Sequence, residues 1–481
     1  SITHGSGSIG SVGNTTNVLQ NSNQLIIDWN SFNLDPNEIV NFSQPGKNSI
    51  ALNNILQYDA SKINGKINAN GQLIFVNPRG IIFGSGSEIN TAGLIVSSLS
   101  IAKEAFLNGD FAFRDLDETQ GVIINNGVIS ASSGGVTLLG ESIRNNGTIQ
   151  ANLGYINLAA GRQAFLSFDE QGFLGVKIDE NVVNNELGLK NSIENNGELE
   201  AGGRVAISAK VTSELFDNAI NNAGIIKASG FNLDTLTDAP NINIASNGNI
   251  ENSGTLRAAN DKSAFSSGRI SIEGKQVVHT GTIDVSSALG KAGEVDILGD
   301  QVGLAGEAVV NADGKLGGGD IQIGGSYQGQ DSDVKNAQAT YVGKSTTISA
   351  NAITEGDGGD VVIWADNTTR YYGNIEAKGG SQYGNGGNVE VSGKQNLNFD
   401  GTVDTSAENG ISGKLLLDPK TLIIVNNDEV ETTKDDDVGD AGEITFGDPD
   451  PDEVTIKAQT VEDLLTNNHV ILTAENSISV N

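Results

Sequence analysis

Carboxylates and histidines are the side chains here that could do acid–base or metal chemistry, and their placement argues against both. Cysteine is absent, and the three histidines, His4, His279 and His469, lie far apart. Thiol nucleophiles are therefore excluded and the usual zinc spacings disfavoured. Asp284/Asp296 and Asp357/Asp360 are pairs of the kind a polysaccharide lyase or hydrolase would recruit on an exposed face. Acids at polar positions need no catalytic explanation in a chain of net charge −32, so no enzyme is expected. Asp435, Asp437 and Asp440, beside Gly439, alternate as calcium ligands do but lack a distal bidentate Glu. A solvated acidic loop is the simpler reading, with calcium the one cofactor left open. Gly5-Ser6-Gly7-Ser8-Ile9-Gly10 satisfies G-x-G-x-x-G, but no strand precedes it and no helical pattern follows, which points to a glycine-rich turn.

What must position these residues is a repetitive scaffold. Aromatic residues make up only 5% of the 481, whereas a large compact core normally uses rings to fill volume. A narrow core of stacked coils is filled by Ile, Val, Leu and Ala instead. Sixty-two glycines against seven prolines fit frequent tight turns without a collagen pattern. The acidic charge and scattered Lys and Arg exclude a nucleic-acid partner. No run of about 18 apolar residues occurs, so no helical membrane span is expected. The chain begins at Ser1 rather than Met, as a processed mature protein or an artificially trimmed one would, and lacks a basic-then-apolar signal segment.

The repeat itself is legible. Asn125-Asn126-Gly127-Val-Ile-Ser-Ala131 recurs as Asn145-Asn146-Gly147-Thr-Ile-Gln-Ala151 and Asn195-Asn196-Gly197-Glu-Leu-Glu-Ala201. The frame continues at Asn222, Asn252, His279, Tyr371 and Phe399, each two residues before a glycine. A second unit follows each copy, as in Gly203-Arg-Val-Ala-Ile207, Gly293-Glu-Val-Asp-Ile297 and Gly387-Asn-Val-Glu-Val391. Both alternate apolar with polar residues, the period of a strand.

Asn-Gly between alternating strands also signals a hairpin, but the repeat period decides against hairpins. A parallel β-helix uses about 20 to 30 residues per coil and brings equivalent residues into register about 4.8 Å apart. The chain is therefore all-β, a right-handed parallel β-helix with an amino-terminal cap. Its Asn side chains should form a hydrogen-bonded ladder. Ile149, Leu199, Leu256 and Ile283 should point inward, and Thr148, Glu198, Thr255 and Thr282 outward.

Two stretches leave the period. Residues 163–192 alternate around Gln171-Gly172 and read as a protruding extra-helical hairpin, while residues 428–453 form an acidic run. The domains expected are 1–235, 236–425 as stem, and 426–481 as acidic loop and start of a further β segment. The strand units at 470–474 and 478–480 suggest that the solenoid continues beyond Asn481.

Residues 1–120 differ from the repeats. They contain Asp28-Trp29-Asn-Ser-Phe32, Ile63-Asn-Gly-Lys-Ile67-Asn-Ala-Asn-Gly71, Asn77-Pro78-Arg79-Gly80-Ile81-Ile-Phe83-Gly84 and Ile89-Asn90-Thr-Ala-Gly93-Leu94. In this order they resemble the filamentous haemagglutinin amino-terminal, or haemagglutination-activity, domain of two-partner secretion (TpsA-type) exoproteins. Later segments, Gly359-Asp-Val-Val-Ile-Trp-Ala365 and Leu415-Leu-Leu-Asp418-Pro419, also resemble large exoproteins of that family. The family's usual Asn-Pro-Asn-Gly is here Asn77-Pro78-Arg79-Gly80, and its Asn-Pro-Asn-Leu motif is missing.

The resemblance implies export across the outer membrane by a dedicated TpsB-type transporter, to the cell surface or medium. Residues 1–235 would be the export and nucleating domain, with Asn77, Pro78, Arg79, Gly80, Ile81, Phe83 and Gly84 as the transporter recognition motif. The whole would be a surface adhesin acting in cell or matrix adhesion and biofilm, its partners a host-cell receptor or a glycan. A contact-dependent toxin, a haemolysin or a haem-acquisition exoprotein would share the same export domain.

Overall fold

The computed structural model describes residues 1–115, 121–168, 174–230, 239–259, 268–426, 446 and 455–480. They form two compact units, Ser1–Phe231 with Asn243–Asn249, and Asn232–Ile242 with Ile250–Asn481.

In the first unit each coil lays one strand on each of three parallel sheets. One coil contributes Val122–Asn125, Val128–Ala131 and Val136–Gly140, and the next Ser142–Asn145, Thr148–Ala151 and Ile156–Ala160. Ile129 pairs with Ile149, Ile149 with Leu199 and Leu199 with Ile226, all parallel and all fully buried. Thr148 and Glu198, one residue earlier, are half-buried on the outer surface. Period two thus gives a one-sided strand on this sheet, as the alternation requires.

The glycine of Asn-Asn-Gly is dictated by stacking. A Cβ at Gly147 would press into the carbonyl of Gly127, one at Gly197 into that of Gly147, and one at Gly224 into that of Gly197. Any side chain there would push coils apart at every turn.

The first coil is closed by antiparallel strands. Ile2–His4 pairs with Gln24–Trp29, and Gly7–Val12 folds back on Thr15–Gln20. Gly7 and Gly10 therefore lie in a cap strand and not in a glycine-rich turn; the turn is at Gly13, with φ +59°. The cap satisfies strand edges that a solenoid end would expose. Aromatics gather in these first coils, where Phe32 packs on Trp29 and Phe75 at centroid distances of 5.1 and 5.2 Å.

The protruding hairpin is part of something larger. Gln163–Phe168 and Leu174–Glu180 pair antiparallel, and Gln163–Phe168 also pairs with Phe111–Arg114, which pairs with Ser100–Ile101. A short helix, Lys103–Leu107, completes this extra-helical layer. Its Phe106, Phe113, Leu166 and Ile178 bury the outer face of the sheet beneath, at Ile26, Leu52, Ile74 and Leu139. This accounts for the unbroken apolar runs Leu25-Ile26-Ile27 and Leu73-Ile74-Phe75-Val76, since strands covered on both faces lose their alternation. The proposed turn at Gln171-Gly172 lies outside the described residues.

The second unit repeats the three-sheet plan, with Leu256 on Ile283 on Val310 as one inward stack. Thr255 and Thr282 are half-buried on the outside. Beyond these coils, Thr421–Val425 pairs with Thr455–Lys457 and Ser477–Val480, beside the helix Ala458–Asn467. The acidic run 428–453 lies outside the described residues except Phe446.

Candidate functional site

Asn77 ends the strand Gln72–Val76 and turns the chain into Gly80–Phe83. Its carbonyl accepts from the Gly80 N–H at 2.9 Å and its Oδ1 from the Arg79 N–H at 2.9 Å, so side chain and backbone close the same turn. Its Nδ2 donates to the Asp59 carbonyl at 3.2 Å and to Ser61 Oγ at 3.0 Å, and its own N–H donates to the Ser97 carbonyl at 3.0 Å. Every polar group of this fully buried side chain is used within the fold.

Pro78 suits the turn because its ring fixes φ, and Gly80 because its φ is +102°. A Cβ at Gly80 would also collide with the Val122 carbonyl of the next coil. Ile81 and Phe83 are fully buried, pairing with Ser61 and Ile63 on one side and Ile123 and Asn125 on the other. Gly84 donates to the Ile63 carbonyl at 2.8 Å. Of the seven motif residues, Arg79 is exposed, Pro78 and Gly84 are half-buried and the other four are buried.

The repeating asparagines divide by position. The first of each pair is buried and forms one file: Asn125 Nδ2 donates to Asn145 Oδ1 at 2.8 Å, Asn145 to Asn195 at 2.8 Å, and Asn195 to Asn222 at 2.7 Å. The second forms a separate exposed file through Asn126, Asn146 and Asn196, with links of 2.8 and 3.1 Å. In the second unit the buried position passes from Asn252 to His279, Leu304, Val342, Tyr371 and Phe399 in strict register. The ladder there gives way to aliphatic and then ring packing, Tyr371 on Phe399 at 5.0 Å. Burial pushes the His279 imidazole down to about 4, so it stays neutral in the stack.

A charged cluster that the repeat pattern does not signal joins the extra-helical layer to the coils. Arg162 reaches Asp115 Oδ2 at 3.0 Å and Glu141 Oε1 at 3.5 Å. Burial raises Glu141 to about 7, reinforced by Asp115 and opposed by Arg162. This cluster occupies the departure point of the chain from the helix, where periodicity carries no information.

Each acid of the two candidate carboxylate pairs has a partner of its own. Asp284 and Asp296 lie on strands of different sheets and are each ion-paired, to Arg257 and Arg269. Asp357 accepts from the Asn385 N–H at 2.6 Å and Asp360 from Asn388 Nδ2 at 2.8 Å, both on the following coil. Asp435, Asp437 and Asp440 lie outside the described residues. Among the described residues no group of three or more His, Asp or Glu is placed to hold a metal, and no helix is long and apolar enough to cross a membrane.

The comparisons with known proteins agree with this geometry. The family model described as TPS secretion domain matches residues 2–252. A heme/hemopexin-binding protein of Haemophilus influenzae is 32% identical over 218 residues, covering 44% of this chain and 23% of that protein. A second protein so named, from the same species, is 24% identical over 260 residues, covering 49% and 27%. The matched segments are about a quarter of those relatives' length. The crystal structure of the HMW1 secretion domain from Haemophilus influenzae superposes with a TM-score of 0.64 at 27% identity, over 87% of this chain and 98% of that one. The chain belongs to the two-partner secretion family, whose β-helical exoproteins are exported across the outer membrane to the cell surface or medium with a TpsB-type transporter as partner.

Proposed function

We propose that residues 1–235 are the export and nucleating domain of a surface adhesin, that 236–425 form its stem, and that the transporter reads Asn77–Gly84 before the chain folds. The burial of Asn77 carries the last point. Folded, its amide is spent on Asp59, Ser61 and Arg79, so a partner that recognises it must meet the extended chain. After exit, each coil stacked on the previous one buries apolar area, and that free energy opposes return through the transporter.

A peptide of residues 63–98 separates recognition from folding. It should bind the transporter's periplasmic modules, and Asn77→Ala with Pro78→Ala should weaken binding at least tenfold and abolish secretion of the full chain. Equal binding by the two peptides would reject the motif.

Adhesion to a host-cell receptor or a glycan, without catalysis, is the reading for the stem. The two heme/hemopexin-binding relatives favour haem acquisition as a second one. Capture of haem-loaded hemopexin by the exported protein would select it, and saturable binding to cells or matrix without such capture would select adhesion.

A further inference from the structure

The second unit has a groove of about 900 Å3 that the export reading does not use. Its floor is the outward face of one sheet, and the loop carrying Tyr327, Gln328 and Asp331 lines it as well. Register places Glu294, Asp320 and Asp360 side by side on successive coils, about 4.8 Å apart as neighbouring strands are. Six acidic side chains line the groove against two basic ones; Arg269, one of those two, is already paired with Glu294 and Asp296, and Lys291 reaches Asp320 at 3.4 Å from beside it.

A second observation points to a ligand. Glu390 lines the groove at 1% exposure, and its Oε2 accepts from the Gln328 N–H at 2.8 Å. Its Oε1 is buried without a close hydrogen-bond donor, and burial raises the carboxyl to about 7, a costly arrangement that folded proteins seldom tolerate without a functional reason. The loop beside it is fixed in advance. Gln328 sits at φ +52°, its Nε2 donates to Asp418 Oδ2 at 3.1 Å, and Trp364 lies against Gly329. Tyr327 remains 54% exposed beside this floor.

We infer that this groove binds a cationic amino-sugar polysaccharide, a de-N-acetylated hexosamine chain, with the Glu294–Asp320–Asp360 row meeting its ammonium groups and Tyr327 packing on a sugar ring. Charge complementarity selects an ammonium polymer over uronic or sialylated chains, and a tyrosine face adds attraction for a cation. A basic peptide fits less well, because extended peptides bind by adding to a free strand edge and this floor offers only side chains. The inference rests on the adhesin reading of the stem and names its ligand class.

The test is calorimetric titration of the whole 481-residue chain at pH 6 with glucosamine hexamer, its N-acetylated counterpart and hexalysine. Saturable binding of the glucosamine hexamer, at least tenfold tighter than either other ligand, is expected. The double variant Asp320→Asn, Asp360→Asn should lose at least tenfold, and Tyr327→Ala several-fold, with unchanged thermal unfolding. No binding, equal binding of hexalysine, or equal binding by the double variant overturns the inference. Adhesion by the exported protein without hexamer binding sinks the groove alone. Hexamer binding without cell or matrix adhesion sinks the adhesin reading and leaves the groove standing.

Discussion

His279 Nδ1 lies 2.9 Å from Asn252 Nδ2 and 3.2 Å from the Asn252 carbonyl, an amide and an imidazole stacked on adjacent coils with both side chains fully buried. In the tautomer that lets Nδ1 accept from the Asn252 amide, the proton sits on Nε2, which faces the Val309 carbonyl at 3.4 Å. The neutral ring of that tautomer continues the amide file, accepting from one coil and donating to the next.

That arrangement sets a pH dependence. Burial holds His279 near 4, below its ordinary 6.5. Below 6.5 the unfolded chain takes up a proton that the folded chain refuses until about pH 4. Stability is therefore full above 6.5 and falls by up to about 3 kcal/mol as pH drops to 4. His279→Asn should remove this component, so that the variant gains on the wild type between pH 6.5 and 4.5 in urea unfolding. A constant difference across that range would refute it.

The buried asparagine file makes a second prediction. Asn145→Ala strands the Asn125 donor and the Asn195 acceptor in an apolar core, and should cost about 3 kcal/mol. Asn146→Ala, in the exposed file, should cost less than about 1 kcal/mol because water replaces its partners. Hydrogen exchange of residues 191–201 reads both locally. Equal losses would mean the two files do the same work.

The turn at Asn77–Gly80 separates in the same way. Gly80→Ala combines a strained φ of +102° with a collision against the Val122 carbonyl, and should destabilise the neighbouring coils by about 2 to 4 kcal/mol. Arg79→Ala, at an exposed position, should stay within about 0.5 kcal/mol. Chemical unfolding of the two variants measures this, and a neutral Gly80→Ala would show that the turn relaxes freely.

How much of this was legible follows from where period two holds. Ile149, Leu199, Leu256 and Ile283 could be placed inward because their strands alternate between core and surface. The same alternation makes Asn145 and Asn195 ladder members, and the frame Asn–His–Tyr–Phe places His279 at the equivalent position. Phe111–Arg114 and the helix at Lys103–Leu107 escaped because they pack on the outside of a sheet whose strands read as plain apolar runs. The groove around Glu390 escaped for a different reason. Its residues come from coils dozens of positions apart, and nothing in one repeat marks a carboxylate that a distant loop will cover.

Glu141 supplies the last test, because its charge is buried where the extra-helical layer leaves the coils. Burial and Asp115 raise it to about 7 from 4.5, against the pull of Arg162. Between those values the folded chain holds a proton that the unfolded chain has lost, so stability is fully present below pH 4.5. It declines by up to about 3 kcal/mol as pH rises through 7. Glu141→Gln keeps the shape and removes the charge, and should be the more stable protein at pH 8 while matching the wild type near pH 4.5. Because Arg162 and Asp115 tether the extra-helical strands, the gain should appear as slower hydrogen exchange in 163–168 and 174–180. An advantage as large at pH 4.5 as at pH 8 would mean that packing, rather than the buried charge, sets the stability of this junction.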